Sequence, residues 1–219
     1  MMKPNHPVID VQALSLGFDK PLCADLTFSL KEGAKVRIDG RSGTGKSTLL
    51  RCLLGFVRPL SGQVAIFDQR LTPDTVWPLR SRMAYVTQEP DLGTGPAKDT
   101  ILRPFAYKAN AHLHPTDKDI LYWCDHFFLS QTLLAQDVTT LSGGQKQRVA
   151  LITAILLKRD IILLDEPTSA LDAISKVAVA EHFYQSNQTV LWVSHDATAF
   201  DKADELITLD GACHEVAAL

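Results

Sequence analysis

Apolar and polar residues follow two regimes along this chain. Near the N-terminus the period is two. Val8-Ile9-Asp10-Val11-Gln12-Ala13-Leu14 and Leu26-Thr27-Phe28-Ser29-Leu30 read as half-buried strands, with a turn near Asp19-Lys20-Pro21. Strands are also expected over Ala34–Asp39, Gln63–Phe67 and Met83–Thr87. Farther on the alternation stops. Ile161-Ile162-Leu163-Leu164 and Thr189-Val190-Leu191-Trp192-Val193 are unbroken apolar runs, as expected of parallel strands covered on both faces. Glu205–Leu209 reads as a last strand, and the tail from Glu215 to Leu219 carries no legible pattern. Helical spacing marks Thr48–Leu54, the run through Arg148, Val149, Ile152, Ile155 and Leu156, and Ile174–Tyr184. Residues 89–157 hold few β-branched runs and read as mostly helical. Within them Glu89–Pro104 is rich in proline and glycine and shows no clear period.

Composition narrows this picture. A chain of 219 residues suits one domain with a full core. The net charge of −3 does not favour nucleic acid as the main partner. Cys23, Cys52, Cys124 and Cys213 are scattered without metal-like spacing and read as reduced thiols. The first seven residues are polar, unlike a signal peptide, and no run is apolar enough to span a membrane.

The most specific chemistry lies in Gly40-Arg41-Ser42-Gly43-Thr44-Gly45-Lys46-Ser47, which fits the phosphate-cradling pattern Gly-x-x-x-x-Gly-Lys-Ser/Thr between a strand and a helix. Its glycines let backbone N–H groups turn toward a polyanion, and the helix N-terminus adds partial positive charge. Lys46 can reach the β- and γ-phosphates, and Ser47 can ligate Mg²⁺. A second constellation closes the buried run 161–164. There Asp165 is placed to hold Mg²⁺ and Glu166 to take a proton from water. Adjacent strand residues point to opposite faces, so both serve one site only if the chain turns at Glu166. Pro167 favours that break by disfavouring the α region before it.

Gln88 and His195 each follow an apolar strand, at what should be the same sheet edge. Both are candidates to bond the water or the γ-phosphate. Phe18 reads either as rim packing or as an adenine-stacking ring. Leu141-Ser142-Gly143-Gly144-Gln145 opens a helix that Ser142 can cap. Two glycines in a first helical turn need a reason, and close approach of a phosphate is one.

From Val8 to Leu209 the chain resembles the ATP-binding cassette ATPases, the nucleotide-binding subunits of ABC transporters. Leu141 to Gln145 matches the family signature, Gly40 to Ser47 the Walker A loop, and Ile161 to Glu166 the Walker B strand with its catalytic glutamate. Gln88 matches the Q-loop glutamine, Ser169-Ala170-Leu171-Asp172 the D-loop, and His195 the switch histidine. Phe18 falls at the adenine-stacking position. The resemblance implies an α/β P-loop NTPase with a RecA-like core, an N-terminal antiparallel β part and an inserted helical part near 89–157. It implies ATP and Mg²⁺ as ligands. ATP would be bound by Phe18, Gly40, Ser42, Gly43, Thr44, Gly45, Lys46, Ser47 and Thr48. Ser47, Gln88 and Asp165 would serve the metal, and Glu166, His195, Gln88 and Lys46 would carry hydrolysis.

It further implies a head-to-tail homodimer that forms on ATP. Ser142, Gly143, Gly144 and Gln145 of one copy would meet the γ-phosphate of the other, and Asp172 would link the two sites. A separate membrane permease would dock near 89–104, placing the chain at the cytoplasmic side of the inner membrane. The last strands resemble small bacterial cassettes of the iron- or metal-export type. Where family members often read Ala-Arg-Ala after the signature, this chain has Ile152-Thr153-Ala154. The rival readings are a non-transport cassette ATPase and a nucleotide-dependent clamp. The retained Glu166 and His195 argue against an inactive clamp.

Overall fold

The computed structural model describes residues 7–17, 21–194, 202–210 and 213–218. Strands β1 (Ile9–Gly17) and β2 (Pro21–Leu30) pair antiparallel, as their period-two pattern predicts. With β4 (Ser61–Ile66) and β5 (Gln69–Arg70) they form a four-stranded sheet in the order β2-β1-β4-β5. A second sheet contains β3 (Lys35–Gly40), β6 (Met83–Val86), β7 (Ile161–Asp165), β8 (Thr189–Val193), β9 (Glu205–Asp210) and β10 (Cys213–Ala218). Its order is β10-β9-β3-β8-β7-β6, parallel throughout except where β10 turns back on β9. The expected α/β architecture, with an antiparallel part and a parallel core sheet, is therefore present. The tail is the departure: it pairs as an edge strand through backbone groups, which a hydrophobic pattern does not register.

The unbroken apolar runs explain how the core divides. In β7 and β8 alternate residues point to opposite faces. Ile161, Leu163, Leu191 and Val193 join one cluster, with Leu49, Leu50 and Leu53 of α1 (Lys46–Leu53) and the inner face of the antiparallel sheet. Ile162, Leu164, Val190 and Trp192 join the other, against α3 (Ala97–Leu102), α4 (Asp117–His126), α5 (Gly143–Leu156) and α6 (Ala173–Gln185). Each leucine buried this way contributes about 1.5–3 kcal/mol. Cys23, Cys52 and Cys124 lie buried as free thiols.

The described chain between β6 and β7 forms helices and tight helical turns and contributes no strand to either sheet. A capping box, Thr116 with Asp119, starts α4. Helix α3 emerges inside the stretch whose prolines and glycines hide any period. A short α2 (Val76–Arg80) precedes β6.

Candidate functional site

Parallel register brings four strand ends to one edge. Ile38 and Asp165 both pair with Val193, and Val86 pairs with Leu164. The C-terminal ends of β3, β6, β7 and β8 thus lie side by side, where open α/β sheets place their chemistry.

The loop after β3 is shaped by its first glycine. Gly40 has φ 140°, and a Cβ there would lie 2.2 Å from the Leu209 carbonyl oxygen. Helix α1 then starts from Gly45, which brings no side chain to cap its first turn. Such a terminus is suited to an anion. Lys46 is only 7% exposed and lies along the loop, donating to the carbonyls of Gly40 (2.8 Å) and Arg41 (2.9 Å). An ammonium carries three donors, so one remains for a phosphate oxygen.

Asp165, 5% exposed, ends β7 and uses both carboxylate oxygens. Oδ1 accepts from Ser47 Oγ at 3.0 Å, and Oδ2 accepts from the Tyr85 phenol at 3.1 Å. Burial, with the Asp165 charge beside it, pushes the Tyr85 phenol up to about 12. The neighbouring Ser47 hydroxyl and Asp165 carboxylate are hard oxygen donors that fit Mg²⁺. Among the described residues no group of three or more His, Cys, Asp or Glu could enclose a metal. A cation held here would complete its shell from phosphate oxygens and water, as Mg²⁺ commonly does.

Glu166 leaves the strand. Its φ is 48°, its N–H donates to the Val193 carbonyl (2.9 Å), and its carbonyl accepts from the Ser169 N–H (3.2 Å). The turn that the sequence requires at Glu166 is present. Its side chain meets Gln88, whose Nε2 donates to Oε2 at 2.9 Å. Adjacent carboxylates are thus divided, Asp165 to Ser47 and Tyr85, Glu166 to Gln88.

Ser142 caps α5 through a capping box, accepting from the Gln145 N–H and donating its own N–H to Gln145 Oε1 at 2.8 Å. Gly144 has a reason that sequence reasoning missed. A Cβ there would stand 2.4 Å from the Ala170 carbonyl oxygen, whereas one at Gly143 would meet only the Ala170 methyl, at 3.8 Å. Phosphate approach is therefore not needed to explain Gly144, since its own chain already excludes a side chain. No hydrogen bond among the described residues joins Ser142, Gly143 or Gly144 to the 40–47 loop.

Asp172 caps α6, accepting from the Ser175 N–H (2.9 Å), the Ser175 hydroxyl (2.8 Å) and Arg148 (3.1 Å). The Ser175 bonds, chiefly the backbone one, hold its carboxyl at about 2. Arg148 and the buried Gln147, which donates to the Thr87 carbonyl (3.3 Å), tie α5 to the 168–172 turn and to the neighbour of Gln88. Tyr85, Gln147 and Arg148 were not singled out in the sequence. The only signal was a polar handle in an apolar strand or helix face. Phe18 and His195 lie outside the described residues.

Beside this edge runs a groove of about 960 Å³, floored by Ser47, Tyr85 and Asp165 and walled by Gln88, Leu92 and Thr153. Thr153, where the family often has arginine, turns its hydroxyl back to the Val149 carbonyl at 2.8 Å.

Comparison with known proteins agrees with this geometry. The family model described as ABC transporter matches residues 23–169. The probable iron export ATP-binding protein FetA of Escherichia coli (strain K12) is 33% identical over 213 residues, 95% of this chain and 93% of that protein. The energy-coupling factor transporter ATP-binding protein EcfA1 of Bacillus subtilis (strain 168) is 35% identical over 195 residues, 85% of this chain and 68% of that protein. The ATP-dependent lipid A-core flippase of Alcanivorax borkumensis is 34% identical over 217 residues, but the match spans only 36% of that longer protein. A bacterial Atm1-family ABC exporter solved with ATP bound superposes with a TM-score of 0.83 at 24% identity, covering 99% of this chain and 40% of that one, a likeness of fold. No helix among the described residues is long and apolar enough to cross a membrane. The chain belongs to the ABC transporter family, as an ATP-binding subunit.

Proposed function

We propose that the chain hydrolyses ATP to drive export of a metal, with iron the first candidate, through a separate membrane permease. The observation that carries the hydrolytic reading is the division of two adjacent carboxylates, Asp165 toward Ser47 and Glu166 toward Gln88. Lys46 and the uncapped start of α1 hold the β- and γ-phosphates. Phe18 stacks on adenine. Ser47 and Asp165, with Gln88, would hold Mg²⁺, which when bound would offset phosphate charge. Gln88 and His195 orient a water behind the γ-phosphate. Glu166 accepts that water's proton on a carboxylate oxygen as the new bond from water oxygen to the γ-phosphorus forms and the bond to the β–γ bridging oxygen breaks, its electron pair leaving on ADP, so that ADP and phosphate are released.

Among the described residues Ser142 to Gln145 make no hydrogen bond with their own phosphate loop, which favours a second copy as the source of the γ-phosphate they meet. On this reading two chains close head to tail on ATP and reopen after hydrolysis, a ligand-driven population shift. Asp172, tied to α5 through Arg148, would report one site to the other. The groove beside 89–104 takes the permease, and the chain sits at the inner face of the membrane. Iron is the first cargo because the iron-export relative matches almost end to end.

The test is Lys46→Ala. Among the described residues no other cation bonds the carbonyls of this loop, so the variant should bind ATP weakly and turn it over negligibly, measured by nucleotide titration beside an ATPase assay. Turnover at the parent rate would contradict the assignment.

A further inference from the structure

We propose that Tyr85 is a positioning residue for the metal-binding carboxylate, its phenol holding the oxygen of Asp165 that Ser47 does not. The inference rests on the ATPase reading and extends it to a residue outside the sequence motifs.

Strand register and side-chain reach together bring the phenol to Asp165. Strands β6 and β7 pair in parallel with Tyr85 opposite Leu163, so Asp165 lies two residues beyond Tyr85's partner. Ile161, Leu163 and the Tyr85 ring pack in the cluster that includes α1. Period two puts Asp165 on that same face, where Ser47 waits at the start of α1. A diagonal neighbour across two strands is within reach of a long side chain only. The tyrosine spans it, with its hydroxyl 3.1 Å from Asp165 Oδ2.

The consequence concerns orientation. Ser47 alone, 3.0 Å from Oδ1, leaves the carboxylate plane free to swing about the Cβ–Cγ bond. A second donor on Oδ2 removes that rotation. Hydrogen bonds to an ionised carboxylate are among the stronger ones, and outer partners of metal ligands fix ligand direction in this way. Held through Oδ2 by Tyr85, Asp165 would keep one orientation toward a cation bound beside Ser47. The phenol touches no reacting atom and acts through Asp165.

The experiment compares the whole chain with Tyr85→Phe, titrating each with a non-hydrolysable ATP analogue in Mg²⁺ and in EDTA. The ring keeps its apolar packing, and thermal melting without nucleotide verifies the fold. Metal-free affinity should be unchanged. The gain in affinity that Mg²⁺ confers should shrink roughly tenfold or more, the range for losing an outer partner of a metal ligand. A Tyr85→Phe chain that keeps the full Mg²⁺ gain overturns the inference and leaves the ATPase reading standing. Equal losses with and without Mg²⁺ also overturn it, because they place the phenol's effect on the loop. A parent chain that gains nothing from Mg²⁺ overturns the metal-site reading beneath it.

Discussion

Gln88 Nε2 stands 2.9 Å from Glu166 Oε2, joining the segment after β6 to the turn after β7. The bond steadies a carboxylate that its backbone, at φ 48°, has already swung off the strand. Losing a hydrogen bond to a charged group costs about 1.5–3 kcal/mol, roughly one to two orders of magnitude in rate if felt only in the transition state. Gln88→Ala should therefore slow hydrolysis by about that factor and, since Gln88 also serves the metal, weaken binding of Mg-ATP while leaving metal-free ATP affinity unchanged. Steady-state turnover beside nucleotide titration checks both. Turnover at the parent rate would remove Gln88 from the catalytic set.

The two signature glycines should separate in the absence of nucleotide, where no phosphate contact contributes. Gly144→Ala drives a methyl into the Ala170 carbonyl, and overpacking of this kind costs roughly 1–3 kcal/mol. Gly143→Ala meets only ordinary contact and gains helix propensity, so it should be neutral or stabilising by up to about 1 kcal/mol. Urea unfolding of both variants measures the difference. Equal effects would mean that the Ala170 contact does not decide.

The legible parts of this protein were those with local signals. The loop 40–47 announces itself between a strand and a helix, and the four apolar residues before Asp165 announce a doubly covered strand. Even the turn at Glu166 was deducible, because a strand cannot present neighbouring carboxylates to one site. Contacts between distant segments were not legible. Tyr85 reads as an ordinary strand aromatic until β6 pairs with β7. The Arg148–Asp172 bond joins the signature helix to the cap of α6, and nothing in either segment names the other. Gly144 illustrates the same limit, since its steric partner lies in the 168–172 turn. The strand Cys213–Ala218 is held by backbone pairing to β9, which leaves no side-chain pattern to read.

Acid should weaken the fold through His182. This α6 side chain packs edge-on against Trp123 at 4.5 Å and faces His126 at 6.3 Å. Burial first, and His126 second, lower it from 6.5 to about 4. Between those values the unfolded chain binds a proton that the folded chain refuses, so stability rises with pH. The contribution is complete above about 6.5 and is lost as pH falls toward about 4. The urea midpoint of the parent should drop across that window, and His182→Phe should flatten the drop. Superimposable pH profiles would show that His182 does not titrate this way.

Glu166→Gln, examined by size-exclusion chromatography with light scattering, tests the central claim most directly. The substitution keeps side-chain length but removes the proton-accepting carboxylate. Lys46, Ser47 and Gln88 remain to bind Mg-ATP, and Ser142 and Gly144 of a second copy remain to meet the γ-phosphate. The predicted result is a chain that binds ATP without turning it over and elutes as a dimer with ATP, but as a monomer with ADP or without nucleotide. Hydrolysis at the parent rate, or a monomer saturated with ATP, would contradict the account.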